Sequence, residues 1–274
     1  MKIACLSGKG GAGKTFTAVN LAAAAEQAVY IDCDVEEPNG RLFLKPEQME
    51  ERIVSTLLPK FDEKRCSGCK KCVEFCRFHA LIYIKDKPKV FPEVCHSCGG
   101  CKIVCPEGAV TEEEKPIGKI ETGFYKNIRT VTGILTPGEA SGVPIIREAL
   151  KEEGELIVID CPPGSACSVM ESVMDADFFI LVVEPTAFGF HNFQMVYELT
   201  TLLNKTCGVV INKYEDPYPP LETFCQERNL PILARIPYDE TIAAMTAVGE
   251  IAAEKDSKIK SLFQGILKQI GGAL

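Results

Sequence analysis

Six short runs along the chain are almost wholly apolar and rich in Ile, Val, Leu and Phe: Ile3 to Leu6, Val29 to Asp32, Leu156 to Asp160, Phe178 to Val183, Gly208 to Ile211 and Ile232 to Ile236. Runs this short, apolar at successive positions, suit strands buried on both faces. Between most of them lie longer segments with apolar residues at helical spacing, among them Thr15 to Gln27, Gly142 to Glu153 and His191 to Leu203. Strands alternating with helices predict an α/β fold with a mostly parallel sheet covered by helices.

One stretch breaks the alternation. From about residue 61 to 116 the sequence is cysteine-rich, charged and short of helical periodicity, and it repeats internally. Cys66-Ser-Gly-Cys69-Lys-Lys-Cys72-Val-Glu-Phe-Cys76 recurs as Cys95-His-Ser-Cys98-Gly-Gly-Cys101-Lys-Ile-Val-Cys105, and Phe78-His-Ala-Leu-Ile82 is answered by Glu107-Gly-Ala-Val110. The repeat marks a duplicated module inserted into the α/β unit. The expected domains are therefore 1–60 joined with 117–274, and the insertion 61–116. Gly118 to Leu135, with alternating and β-branched residues, is expected to return the chain to the sheet as a hairpin.

Composition narrows the function. With 274 residues, 46% of them hydrophobic and 25% charged, the chain can bury a sizeable core and is not intrinsically disordered. Its longest purely apolar run, Phe178 to Val183, falls far short of the roughly 20 residues of a membrane-spanning helix. Ile3 to Leu6 follows Met1 too closely to leave room for a secretion leader, so a soluble, cytoplasmic protein is expected. The net charge of −8 argues against broad nucleic-acid binding, and no nucleic-acid partner is expected. Of 14 cysteines, eight crowd between Cys66 and Cys105, which in such a compartment favours metal ligation over disulfides.

After the first strand comes Gly8-Lys9-Gly10-Gly11-Ala12-Gly13-Lys14-Thr15, opening into a helix that begins near Phe16. The glycines let successive N–H groups turn around phosphate oxygens, Lys14 can reach the β and γ phosphates, and Thr15 can ligate Mg²⁺. With Lys9 two places into the loop, the chain resembles the deviant Walker P-loop ATPases of the MinD, ParA and nitrogenase iron protein class, and is also similar to Mrp-type ATPases. The resemblance implies that Lys9 reaches across a nucleotide-sandwich dimer to the partner's phosphates. It implies further that Asp34 orients or deprotonates the attacking water, that Asp32 joins the magnesium shell, and that Asp160 is the Walker B aspartate ahead of switch II, Cys161-Pro-Pro-Gly164. Asn212, Pro237 and Asp239 match the family's adenine-binding positions. Family members usually carry a second Thr where this chain has Phe16, whose N–H can still bind, so weaker nucleotide affinity is expected.

The spacing Cys-x2-Cys-x2-Cys-x3-Cys, twice, closely resembles that of bacterial two-cluster ferredoxins. The resemblance implies one [4Fe–4S] cluster on Cys66, Cys69, Cys72 and Cys105, and a second on Cys95, Cys98, Cys101 and Cys76, the fourth cysteine of each run crossing over. Structural zinc, the alternative, is usually held by two Cys-x2-Cys pairs and not by three cysteines in each tight run. Pro106 follows Cys105 as in that family, but Arg77 follows Cys76. Lys64, Arg65, Lys70, Lys71 and Arg77 either offset the negative clusters or form a solvated face. The combination is similar to MinD-superfamily ATPases with an inserted ferredoxin domain, and the resemblance covers nearly the whole chain.

Cys5, Cys33, Cys207 and Cys225 read as small core residues. Cys167 stands seven residues after Asp160, the offset at which the nitrogenase iron protein places a ligand of its dimer-bridging cluster. The resemblance implies a speculative bridging role for Cys167, with Cys161 a lesser helper, against a plain switch cysteine. Ile259, Leu262, Phe263, Ile266, Leu267 and Ile270 form one helical stripe, similar to the membrane-binding tail of MinD proteins. Docking of that stripe on the sheet is the expectation, membrane attachment the alternative. His191 reads as structural.

The function implied is an ATPase binding ATP or ADP with Mg²⁺ and two [4Fe–4S] clusters. Nucleotide-dependent dimerisation, as a homodimer or with a related ATPase, would gate electron transfer to a partner protein. A cluster or metal carrier serving apo-proteins, and a MinD-like positioning ATPase with redox-sensing clusters, are the alternatives.

Overall fold

A computed structural model of the protein describes every residue except Glu26 and Leu274. The strands are β1 (Lys2–Leu6), β2 (Ala28–Asp32), β3 (Glu47–Phe61), β4 (Leu81–Ile84), β5 (Lys87–Val90), β6 (Val110–Tyr125), β7 (Ile128–Leu135), β8 (Ile157–Asp160), β9 (Phe178–Val183), β10 (Thr206–Tyr214) and β11 (Ile232–Pro237). The helices are α1 (Lys14–Ala24), α2 (Gly40–Leu44), α3 (Lys71–Phe75), α4 (Gly100–Ile103), α5 (Val143–Ala149), α6 (Cys167–Val173), α7 (Ala187–Leu202), α8 (Pro219–Glu227), α9 (Glu240–Ala247), α10 (Ala252–Lys255) and α11 (Ser257–Ala273).

Nine strands form one sheet in the order β11-β10-β9-β1-β8-β2-β7-β6-β3. From β11 to β7 all neighbours are parallel, as the apolar runs predicted. Alternate residues of each strand face opposite layers because the strand period is two. Ala4 and Leu6 thus pack with the helices α5 to α8, while Ile3 and Cys5 pack with α1, α10 and α11. The stripe of α11 is used in this way: Ile259, Phe263, Ile266 and Ile270 are buried, and Phe263 meets Phe16 edge-on at 6.2 Å. Docking of the C-terminal helix is what the structure shows.

The last two strands are antiparallel, and the expected hairpin is β6 with β7, pairing Gly118 with Leu135 and Tyr125 with Ile128. Its bounds are those expected, but β6 itself starts eight residues earlier, at Val110, where it runs alongside β3 alone. Sequence analysis gave no strand over Glu47–Phe61. Its first seven residues are polar or exposed, Glu47, Glu50 and Glu51 among them, which suits a charged edge strand and hides its periodicity. Beyond Gly118, the segments Ser55–Phe61 and Val110–Pro116 pair only with each other, a two-stranded ribbon with the cysteine module at its far end.

The module is a pseudo-twofold object. Helix α3 packs on α4, and a Cβ on Gly100 would meet the Phe75 ring at 2.2 Å. Phe78 of one half stacks on His96 of the other, centroids 4.0 Å apart. The repeat survives in the backbone where side chains have diverged: Gly68 and Ser97, Lys70 and Gly99, and His79 and Gly108 are equivalent pairs, and all six have φ between 52° and 72°. Left-handed Ser97, Lys70 and His79 each cost on the order of 1 kcal/mol, so the loop shape is retained against local preference.

Candidate functional site

The loop Gly8–Thr15 leaves the carboxyl end of β1, inside the sheet between β8 and β9, and feeds α1. Ligands of open α/β sheets bind at such carboxyl ends. Helix α1 has no side-chain cap and no acidic residue in its first turn, so its free N–H groups are open to an anion. Gly13 has φ 94°, and a Cβ there would lie 1.9 Å from Asn212 Nδ2. That close approach lets Asn212 Nδ2 donate to Ala12 O at 2.9 Å, tying β10 to the loop.

Both loop lysines are paired within the chain. Lys14 Nζ donates to Asp160 Oδ1 at 2.7 Å, and both side chains are buried. Burial alone would lower the Lys14 ammonium, but Asp160 outweighs it and holds the amine protonated. Tyr30 Oη donates to Asp160 Oδ2 at 2.9 Å, its phenol pushed up by burial and so kept a donor. Asp32 accepts from the backbone N–H groups of Gly40 at 2.9 Å and Asp34 at 3.1 Å. Burial, reinforced by Asp160, pushes the Asp32 carboxyl up to about 8. Asp34 is partly buried and raised for the same first reason, with Lys14 pulling the other way. Lys14, Asp32, Asp34 and Asp160 therefore stand together, and partly exposed Thr15 follows Lys14 at the start of α1.

Lys9 turns back to Glu184 at the end of β9 and lies 5.2 Å from the Phe188 ring centroid. Glu184 also holds Lys213, whose Nζ donates to Gly11 O at 3.1 Å. A cleft of about 380 Å³ joins Gly11, Gly13 and Phe16 to Asn212, Pro237 and Asp239, the positions expected to frame the adenine. Asp239 points into its own helix, accepting from the N–H groups of Thr241 and Ile242, which hold its carboxyl below the usual range. Gly8 does not line that cleft, and a Cβ on it would meet the carbonyl oxygen of Asn192 in α7 at 2.1 Å.

Sequence reasoning gave no role to Tyr30 or Glu184. Each carried a signal: Tyr30 is the one hydroxyl in an apolar strand on the same parity as Asp32, and Glu184 is an acid directly ending a strand of six apolar residues.

The eight module cysteines divide between two cavities. One is lined by Cys66, Cys69, Cys72 and Cys105, the other by Cys76, Cys95, Cys98 and Cys101. Ala109 N–H donates to Cys105 Sγ at 3.3 Å. Cys69 and Cys98 are exposed and the other six half-buried. Among the described residues, no three His, Cys, Asp or Glu side chains converge on a point that one metal ion would fill. Cys167 is exposed at the start of α6, whereas Cys161 is fully buried in the core. Cys5, Cys33 and Cys225 are buried as expected, and Cys207 is half-buried beside Thr200. His191 lies exposed on α7.

The chain is 29% identical to an uncharacterized protein of Methanocaldococcus jannaschii, over 98% of this chain and 96% of that one. A 7Fe ferredoxin of Hydrogenibacillus schlegelii is 37% identical over 51 residues, 18% of this chain and 65% of the ferredoxin. The cell division ATPase MinD of Pyrococcus furiosus aligns with 100% of this chain and 99% of its own at TM-score 0.61 and 19% identity. The septum site-determining protein MinD of Pyrococcus horikoshii, complexed with Mg-ADP, covers 98% of this chain and 95% of its own at TM-score 0.59 and 19% identity. Those two likenesses show the fold. Residues 3–251 of the 274 match the CobQ/CobB/MinD/ParA nucleotide binding domain family, and the chain belongs to it.

Proposed function

We propose that this protein binds and hydrolyses MgATP at Gly8–Thr15 and carries two [4Fe–4S] clusters on the inserted unit 61–116, nucleotide-dependent dimerisation gating electron transfer to a partner protein. The observation that carries the reading is the sorting of eight cysteines into two cavities, each lined by three from one run and the crossing fourth from the other. Four thiols spread around each cavity, three from one tight run and one from the other, suit a cubane better than the two Cys-x2-Cys pairs usual for zinc. Each cluster supplies a reversible one-electron couple when bound. Cys66, Cys69, Cys72 and Cys105 hold the first, and Cys76, Cys95, Cys98 and Cys101 the second. Burial keeps the thiols of Cys72 and Cys95 protonated, and that of Cys101 up to about 11, so loading releases protons.

At the other end, Gly10, Gly11 and Gly13 cradle the phosphates, and the N–H groups of Thr15 and Phe16 point to them. Lys14 exchanges Asp160 for phosphate oxygen, which frees Asp160 with Thr15 and Asp32 for Mg²⁺. Asp34, its carboxyl raised by burial, is placed to orient or accept a proton from water. Lys9 leaves Glu184 to reach the phosphates of a second subunit, identical or closely related. MinD of Pyrococcus horikoshii takes Mg-ADP on the same fold.

The carrier reading has one observation in its favour, the exposure of Cys69 and Cys98, which leaves one edge of each cavity open to an acceptor. The positioning reading loses its membrane anchor, because the stripe of α11 is already buried. An EPR-monitored redox titration of anaerobically purified protein, with and without MgATP, tests the proposal. A nucleotide-dependent shift in potential or line shape, with iron retained, is expected. Clusters indifferent to nucleotide overturn gating, and iron lost to an apo-acceptor turns the assignment to a carrier.

A further inference from the structure

The two cysteine cavities look alike by sequence but have different neighbours. The cavity of Cys66, Cys69, Cys72 and Cys105 is lined wholly by residues 61 to 110, within the module and the ribbon tip. The second cavity is likewise lined only by residues 57 to 112, but its cysteines also border a separate cleft. Cys95, His96 and Cys98 form one wall of a cleft of about 600 Å³, and Ser141, Arg147 and Cys167 form the opposite wall. Only the second set thus faces the nucleotide-binding body.

Helix α5 stands at the centre of that arrangement. Arg147 donates through Nε and Nη2 to Glu171 of α6 at 2.7 and 2.9 Å, a bidentate pair that fixes α5 to the helix following Asp160–Gly164. On its other side Glu148 accepts from Arg52 of β3 at 2.7 Å, and a Cβ on Gly118 of β6 would strike Ile145 Cδ1 at 2.5 Å. Helix α5 is therefore packed on the base of the ribbon and clasped to α6. A third tie runs beside it: Lys115 Nζ lies 2.7 Å from Glu139 Oε2 and 3.5 Å from Pro92 O, joining the body to the segment that enters the second cysteine run. The segment Asp160–Gly164 is itself anchored at the loop strand, Cys161 N donating to Cys5 O and Gly164 N to Ser7 O. A displacement there reaches the cleft beside the second set through α6 and α5, whereas the first cavity has no body residue in its lining and shares no residue with that cleft.

We propose that the second cysteine set, and not the first, is the end of the module that responds to nucleotide, with α5 coupling it to α6 through Arg147 and Glu171. The inference rests on the function proposed above and gives it a direction: the loop Cys95–Cys101 is the gated end, and the loop Cys66–Cys72 faces away as the ungated end.

Hydrogen exchange of the anaerobic holoprotein, with and without a non-hydrolysable MgATP analogue, tests this directly. Amides of Cys95–Cys101 are expected to change their exchange rate by at least about threefold on nucleotide addition, and those of Cys66–Cys72 to stay constant. In R147A, and independently in E171Q, the response of Cys95–Cys101 is expected to vanish while iron content and nucleotide protection of Gly8–Thr15 persist. Arg147 is largely exposed, so its truncation leaves the core intact. EPR adds a second readout, in which nucleotide moves the signal of one cluster only, and C98S identifies it. Equal responses in both loops, a response confined to Cys66–Cys72, none at all, or one surviving in both variants overturns the inference. A chain without iron or without nucleotide binding sinks the proposed function and this inference together, whereas a loaded, nucleotide-binding chain with a symmetric response sinks the inference alone.

Discussion

The carboxyl end of the parallel sheet and the module at the tip of the ribbon hold their chemistry by opposite means. Around the loop, Lys14, Asp32 and Asp160 are buried, and each is paired or hydrogen-bonded within the chain. Two apolar layers lie beneath them. In the module, the buried side chains between Asp62 and Val110 are essentially Ala80, Leu81, Pro88, Ala109 and Val110, while Phe75, Phe78, Phe91, Val94 and Ile103 are exposed. About fifty residues with so little core need a staple, and the thiols are the groups available to supply it. The nucleotide end is organised by folding, whereas the proposed function makes the cysteine end depend on ligation.

Removing the iron of the proposed clusters is expected to break this comparison most visibly. Anaerobic chelation is expected to speed amide exchange between Asp62 and Glu107 on the order of 100-fold, with the parallel sheet unchanged. Protection retained by the stripped module would mean that its sparse core suffices. The second largest effect falls at the other end. K14A leaves buried Asp160 with Tyr30 but no cation, so urea unfolding should show a loss of about 3 kcal/mol and calorimetry no MgATP binding.

A smaller effect sharpens the module's side. In G100A the new Cβ meets the Phe75 ring, and overpacking should cost about 1–2 kcal/mol. Faster exchange confined to α3 and α4 would show it. The smallest concerns Glu184. Burial pushes its carboxyl up, but Lys213 and Lys9 outweigh burial and hold it below the usual range. A carboxyl lowered by folding stabilises fully above its unfolded range and loses that contribution as pH falls through the folded value. E184Q should therefore be less stable than the parent by about 1 kcal/mol at pH 7, the gap closing toward pH 3, as followed by urea unfolding.

Much of the fold was legible because its signals are local. The six apolar runs became β1, β2, β8, β9, β10 and β11, and the hairpin appeared as β6 and β7. The helices were shorter or shifted at their ends: Gly142 to Glu153 became Val143–Ala149, and His191 to Leu203 became Ala187–Leu202, where Thr186 caps by accepting from Gly189 N–H. Strand β3 was missed because its first seven residues are polar or exposed, and the hairpin of β4 with β5 because its apolar strand Leu81–Ile84 is only four residues long and lies inside the cysteine-rich stretch. Of the site, the loop, Asp32 and Asp160 could be read as residues, but not Lys9 on Glu184 or Tyr30 on Asp160. Those pairs join positions 175 and 130 residues apart.

By itself the sequence determined what is set by neighbours along the chain. Short runs of successive apolar residues made strands, glycines followed by Lys14 and Thr15 made an anion cradle at a helix start, and twice-repeated cysteine spacing made two matching loops. The tertiary structure alone decided which of those parts face each other. Strand order placed Asp160 against Lys14, the pairing of β3 with β6 carried the module out on a ribbon, and α5 set Cys95 and Cys98 across one cleft from Cys167. Backbone sterics and side-chain periodicity act over a few residues, whereas these juxtapositions follow from burying both faces of a sheet whose neighbouring strands are far apart in the chain.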